Sequence, residues 1–121
     1  MTEFGFPKSR RLRSPREFSE VYQLRQRMGD QHLLVFGALN ELGETRVGLS
    51  VSKKQGNAVV RARLKRLLRE AFRLAHHELP SGLDLILIPR QNSGAGLDDY
   101  RASLVRLSRR LAGKFGLEKQ P

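Results

Sequence analysis

Between Lys53 and Arg73, eight cationic side chains (Lys53, Lys54, Arg61, Arg63, Lys65, Arg66, Arg69 and Arg73) stand against one acid, Glu70. The chemistry open to them is phosphate binding, because a guanidinium donates in a planar fork and an ammonium adds a mobile point charge. An unbroken run of like charge would be a solvated, disordered stretch. Here Val60, Leu64, Leu67, Leu68, Ala71, Leu74 and Ala75 interrupt it at three- and four-residue steps, the period of one helical face. On that helix Arg61, Lys65 and Arg69 advance by only about 40° each and line one flank. Arg63, Arg66 and Arg73 carry the cationic surface around the outside. Asn57 is the expected N-cap, and Gly56 allows a sharp turn before it. A basic helix can also be no more than a solubilising surface, so the charge of the whole chain has to decide.

Groups for bond-breaking chemistry are sparse. Asp98 and Asp99 stand where a helix should begin, and the helix dipole explains acids there. His76 and His77 are adjacent and diverge by about 100° on a helix, so they share no ligand face. His32 is alone. Lys53 follows a strand and precedes a helix, but no glycine-rich phosphate loop leads into it. Ser50 or Ser52 with a remote histidine makes an unsupported triad, and the chain has no cysteine. No catalytic residue, metal ligand or cofactor bound by the chain alone is therefore expected.

The totals point outward to a partner. Lysine and arginine number 23 against 12 acids in 121 residues, a net charge of +11. A folded domain with that imbalance repels itself, and a polyanion is the natural compensation. Nucleic acid is favoured over a membrane, because the apolar runs at Leu33–Phe36 and Leu85–Ile88 are far too short to span a bilayer. The N-terminus lacks the apolar core of a signal peptide, so a cytoplasmic protein is expected.

The elements that must position these groups follow in order. Residues 1–13 read as a basic arm containing Arg10, Arg11 and Arg13, residues 14–115 as one domain, and 116–121 as a tail. Ser14, Pro15 and Glu17 form a capping-box pattern for a helix running to about Gln26, with Phe18, Val21 and Tyr22 on its apolar face. The two aromatics suit either a core or a stacking platform for single-stranded bases. His32–Leu39 is β-compatible, Asn40–Glu44 reads as a hairpin loop, and Thr45–Ser52 alternates cleanly. Val47, Leu49 and Val51 face one way; Arg46, Gly48, Ser50 and Ser52 present a polar, small-residue face on which another molecule could lie. Leu83–Ile88 is a third strand. The last helix carries Leu97, Tyr100, Leu104, Leu107 and Leu111 on one seam. The order αββαβα makes an α+β sandwich of one sheet and packed helices.

The segment RVGLSVSKKQGNAVVRARLKRLLREAFR, residues 46–73, with RLRSPREFSEVY upstream, closely resembles the signature of the bacterial ribonuclease P protein subunit. The matching positions are Lys53, Lys54, Gly56, Asn57, Ala58, Val59, Arg61, Arg63, Lys65, Arg66 and Arg69. Ala62 departs from the pattern, standing where the family has asparagine. The resemblance implies one mixed sheet with a left-handed β-α-β crossover into and out of the basic helix, where general rules predict a right-handed one. It implies a partner, the catalytic RNA of ribonuclease P, and a substrate, precursor tRNA, whose 5′ leader the RNA removes using magnesium ions. Lys53, Lys54, Asn57, Arg61, Arg63, Lys65, Arg66, Arg69 and Arg73 would dock the RNA. Phe18, Tyr22, Phe36, Gly48 and Ser50 would line a cleft for the single-stranded leader, between the first helix and the sheet. A general RNA-binding protein of ribosomal or architectural type, with no part in cleavage, is the alternative.

Overall fold

The computed structural model describes residues 10–116. The expected capping box forms. Ser14 Oγ accepts the Glu17 N–H at 3.1 Å, and the Glu17 carboxylate accepts the Ser14 N–H at 3.1 Å, with Pro15 opening α1 (Pro15–Gln23). The helix stops at Gln23, short of the expected Gln26. Leu24 caps it, and Arg25 at φ 55 turns the chain through the left-handed region. The residues so released form a short strand that the pattern did not reveal, β1 (Arg27–Gly29), and it pairs antiparallel with β2 (Leu33–Leu39). The order is thus αβββαβα among the described residues, where αββαβα was expected.

Asp30 holds the turn between β1 and β2. Its carboxylate accepts the His32 and Leu33 amides, both at 2.9 Å, and also receives Ser103 Oγ at 2.6 Å and the Arg106 guanidinium. Burial alone would push this carboxyl's pKa up. The bonds from Ser103, the two amides and Arg106 outweigh burial and hold it below the ordinary 3.8. A carboxyl lowered in the folded state contributes stability above its unfolded pKa and loses it as the pH falls through the folded one. The melting temperature should therefore drop as the pH falls below about 4. D30N should be less stable at neutral pH and show a shallower acid drop. An acid profile of D30N parallel to wild type would show that Asp30 is not the group responsible.

The other strands are β3 (Arg46–Leu49) and β4 (Leu83–Pro89), and the sheet runs β1-β2-β4-β3. β4 lies antiparallel to β2 and parallel to β3, so Asn40–Glu44 close no hairpin between neighbours, contrary to expectation. Asn40 instead reaches across to β4, donating from Nδ2 to Asp84 at 2.8 Å and from its backbone N–H to the Gly82 carbonyl at 2.9 Å. The parallel pair is joined through α2 (Ala58–Ala75), and α3 (Leu97–Lys114) closes the order. β4 reads as a continuous apolar run because both its faces are buried. Leu83, Leu85 and Leu87 pack with Leu33, Val35 and Val47 against Leu68 and Phe72 of α2 and Leu104, Leu107 and Leu111 of α3. Ile86 and Ile88 face the other way, with Leu12, Val21, Ala38, Phe18, Tyr22 and Phe36, under α1. The helices thus divide, with α1 on one face of the sheet and α2 and α3 on the other.

The expected basic arm, residues 1–13, lies outside the described residues as far as residue 9, and the expected tail, 116–121, from residue 117 onward. The end of the arm is fastened to the sheet. The Leu12 N–H donates to the Val47 carbonyl at 3.0 Å, and the Leu12 side chain is buried.

Candidate nucleic-acid interface

Two surfaces answer to the two groups of residues singled out in the sequence. The first is the outside of α2. Ser52 Oγ accepts the Lys54 N–H at 3.3 Å and starts a 3-10 turn, Lys53–Gln55. Gly56 follows at φ 140, a backbone that side chains rarely adopt, and Asn57 Oδ1 caps the helix through the Val60 N–H at 3.0 Å. Asn57 therefore spends its carbonyl oxygen on the cap. Lys53, Lys54, Arg63, Arg66 and Arg69 are exposed, while Lys65 and Arg61 are half-buried. Arg61 Nε donates to the Gly56 carbonyl at 3.3 Å, which steers its guanidinium toward the helix start. Arg73 is turned aside, bonded through Nε to Glu70 at 2.9 Å. That contact with Arg73 holds the Glu70 carboxyl below its ordinary range, burial opposing it. Seven cations of the group consequently have no acid partner among the described residues: Lys53, Lys54, Arg61, Arg63, Lys65, Arg66 and Arg69. Ala62 is exposed between two of them, with no polar group at that position.

The second surface lies across the sheet, beside α1. Phe18, Tyr22 and Phe36 come together there, each half-buried. Tyr22 meets Phe36 edge-on, with ring centroids 4.9 Å apart and planes at 77°. The Arg27 guanidinium lies 6.0 Å from the Phe36 centroid. An open cleft of about 520 Å³ runs along Pro15, Phe18, Ser19, Tyr22, Gln23 and Arg25. Gly48 is not part of the open surface. It is buried, and a Cβ there would come within 2.5 Å of Phe18 Cζ, so the missing side chain lets the Phe18 ring lie on β3. The expectation that Gly48 makes room for a nucleotide is corrected: the room is taken by Phe18. Ser50 remains half-exposed farther along the same face.

Arg46 fixes α1 to the sheet at this site. It donates Nε and Nη2 to Asp84 at 2.8 and 2.6 Å, across the β3–β4 register, and Nη1 to Glu17 at 3.0 Å. The Asp84 bonds outweigh burial and keep the guanidinium's pKa above its ordinary value. Glu17 is held below 4.5 chiefly by the amides of Arg13 and Ser14 and, with burial opposing, by Arg46. Of the arm residues, Arg11 bridges to Val47, Arg13 is exposed, and Arg10 is half-buried. Arg11 thus stands beside β3, Arg13 meets the start of α1 by donating its N–H to Glu17 at 2.8 Å, and Arg10 lies near Thr45, His76 and His77. Sequence reasoning missed Arg25, Arg27 and the anchoring role of Arg46. Arg46 could have been flagged as a charge among the small residues of an otherwise half-buried strand.

The chain is similar to known proteins of one family. The Ribonuclease P family model matches residues 6–112. The chain is 42% identical over 101 residues to the ribonuclease P protein component of Erwinia tasmaniensis, a match covering 83% of each. Against that of Escherichia coli (strain K12 / DH10B) the identity is 42% over 104 residues, covering 85% of this chain and 86% of the relative. Among solved structures, the RNase P protein from Thermotoga maritima superposes with a TM-score of 0.75 at 30% identity, over 83% of this chain and 96% of that one. The Staphylococcus aureus RNase P protein gives 0.71 at 31% identity, over 83% and 93%.

Proposed function

The chain belongs to the Ribonuclease P protein family, and from that membership we propose that it is the protein subunit of a ribonucleoprotein endonuclease that trims precursor tRNA. The observation that carries the reading is the pairing of two unlike surfaces on one small sheet. Outside α2, seven cations without acid partners suit the phosphates of a folded catalytic RNA. Beside α1, a half-exposed aromatic cluster suits the unstacked bases of a single-stranded 5′ leader. The α1 cleft orients the leader, and the α2 face holds the subunit on the RNA.

Magnesium supplies the hydrolytic chemistry in this proposal, and it sits with the RNA. Among the described residues, no group of three His, Cys, Asp or Glu side chains is placed to hold a metal ion. No helix there is long and apolar enough to cross a membrane. A cytoplasmic setting, where precursor tRNA is made, belongs to the same proposal.

The test is incubation of precursor tRNA with the protein, with the catalytic RNA, and with both, at low magnesium. Leader removal should require both. Magnesium-dependent cleavage by RNA-free protein would sink the proposal.

Tyr22 offers a finer test. Its ring is half-buried, so Y22A should lower stability somewhat. Loss of a stacked base should also weaken binding of leader-bearing precursor by roughly 5- to 150-fold. Binding of mature tRNA should hardly change. Equal loss for both ligands, with a lower melting temperature, would make Tyr22 a packing residue only.

A further inference from the structure

A second cleft lies on the α2 side of the sheet and, Arg63 apart, uses residues that neither surface above has absorbed. It opens between the first half of α2 and the loop from β4 to α3, and measures about 290 Å³. Val60, Leu64 and Ala95 are among its apolar lining, and Arg63, Arg90 and Asn92 among its polar lining. The loop wall is held in place. Gln91 Nε2 donates to the Lys54 carbonyl, and Gln55 Nε2 to the Pro89 carbonyl at 2.6 Å. The cleft therefore exists before anything enters it.

Three features describe its occupant. The lining contains no acid, whereas the cleft over α3 includes Glu78 and Asp98 and has its Arg101 paired with Glu78. Arg63 has no partner among the described residues, so its guanidinium is available to an anion. Asn92 is exposed at φ 57, and its carboxamide has no hydrogen bond among the described residues. A carboxamide offers both donor and acceptor to a flat, edge-bonding ligand. The volume sits near the lower limit for small-molecule sites, about 300 Å³. A mixed lining of apolar side chains, an amide and guanidiniums matches the parts of a nucleotide in turn: base face, base edge and phosphate.

We propose that this cleft receives one extruded nucleotide of the RNA that docks on α2. The base would lie against Val60, Leu64 and Ala95, its edge on Asn92 and its flanking phosphates under Arg63 and Arg90. The assignment rests on the RNA partnership proposed above. The nucleotide comes from a loop or bulge of that RNA, because a base outside a duplex pays least to leave its stack. The site reads an identity that the phosphate contacts of α2 cannot read.

The test uses the full chain, the folded catalytic RNA, and base-specific chemical modification read at each nucleotide. Wild-type protein should protect the Watson–Crick edge of one unpaired nucleotide in addition to a backbone footprint. A95L fills the slot and should restore that nucleotide's reactivity, weaken RNA binding about five- to tenfold, and leave the backbone footprint intact. N92G removes only the amide, at a backbone φ that glycine accepts, and should restore the same reactivity with an unchanged melting temperature. Base protections identical in wild type, A95L and N92G, with the backbone footprint present, overturn the nucleotide site alone. If wild-type protein leaves no footprint anywhere on the RNA, the RNA partnership itself is wrong, and this site falls with it.

Discussion

R46A should lower the stability of the folded chain by about 3 kcal/mol, the low end for breaking a buried ion pair. For a domain of this size that is a fall in melting temperature on the order of 10–20 °C. The Arg46 side chain is only 20% exposed and its partner Asp84 11%. Removing the guanidinium leaves the Asp84 carboxylate buried with Asn40 as its remaining side-chain partner. It also unfastens Glu17, and with it the start of α1, from the sheet. R46K should recover only part of the loss, since an ammonium cannot reproduce the fork on Asp84. The double variant R46M/D84L should be more stable than R46A, because it strands no charge. Thermal melts of the four proteins decide the matter. R46A melting within 2 °C of wild type would mean that the network is ornamental.

The triple variant R61Q/K65Q/R69Q should lose RNA affinity without losing its fold. Each phosphate contact contributes about 0.7 to 0.9 to the slope of log affinity against log salt, so three should flatten the slope by roughly 2 to 3 units. Extrapolated from 1 M, where the electrostatic contribution fades, that difference amounts to about 50- to 170-fold weaker binding at 0.15 M salt. Glutamine keeps the helix propensity, so the melting temperature should stay close to wild type. R73Q is the built-in control. Arg73 is bonded to Glu70 and should change the slope far less than any of the three. Equal slopes for wild type and the triple variant would remove α2 from the RNA interface.

How far such residues can be read from sequence depends on whether their signal is local. α2 and α3 were legible because their apolar residues repeat with the helical period, and their caps, Asn57 and the Asp99 carboxylate on the Gly96 N–H, are neighbours in the chain. The alternation in β3 correctly separated Val47 from Gly48. What lies over Gly48 is a tertiary fact, and no local pattern says that a phenylalanine thirty positions earlier rests on it. β1 has three residues with no buried side chain, and it exists because Arg25 adopts a left-handed turn. The placing of β4 between β2 and β3 is likewise a contest among strand pairings. Arg46 and Asn40, both meeting Asp84, help decide it. The cationic group was legible as a group, but Arg73's pairing with Glu70 depends on rotamers that the helical wheel does not give.

The strand order also bears on how the chain is made. β4 forms the hydrogen bonds that unite the sheet, pairing Val35 with Leu87 and Val47 with Leu85. These partners are 52 and 38 positions apart in sequence. A nascent chain that has left the ribosome only as far as Ala75 carries β1, β2, β3 and all of α2, but not yet β4, the strand against which β3 lies. The β1–β2 hairpin can close early. The rest must wait for β4, and then bear the entropy of shutting two long loops together. During that interval α2 has only its own propensity and caps to keep it helical. The cationic segment is thus exposed, with its charges unscreened by the fold, before it has a sheet to rest on.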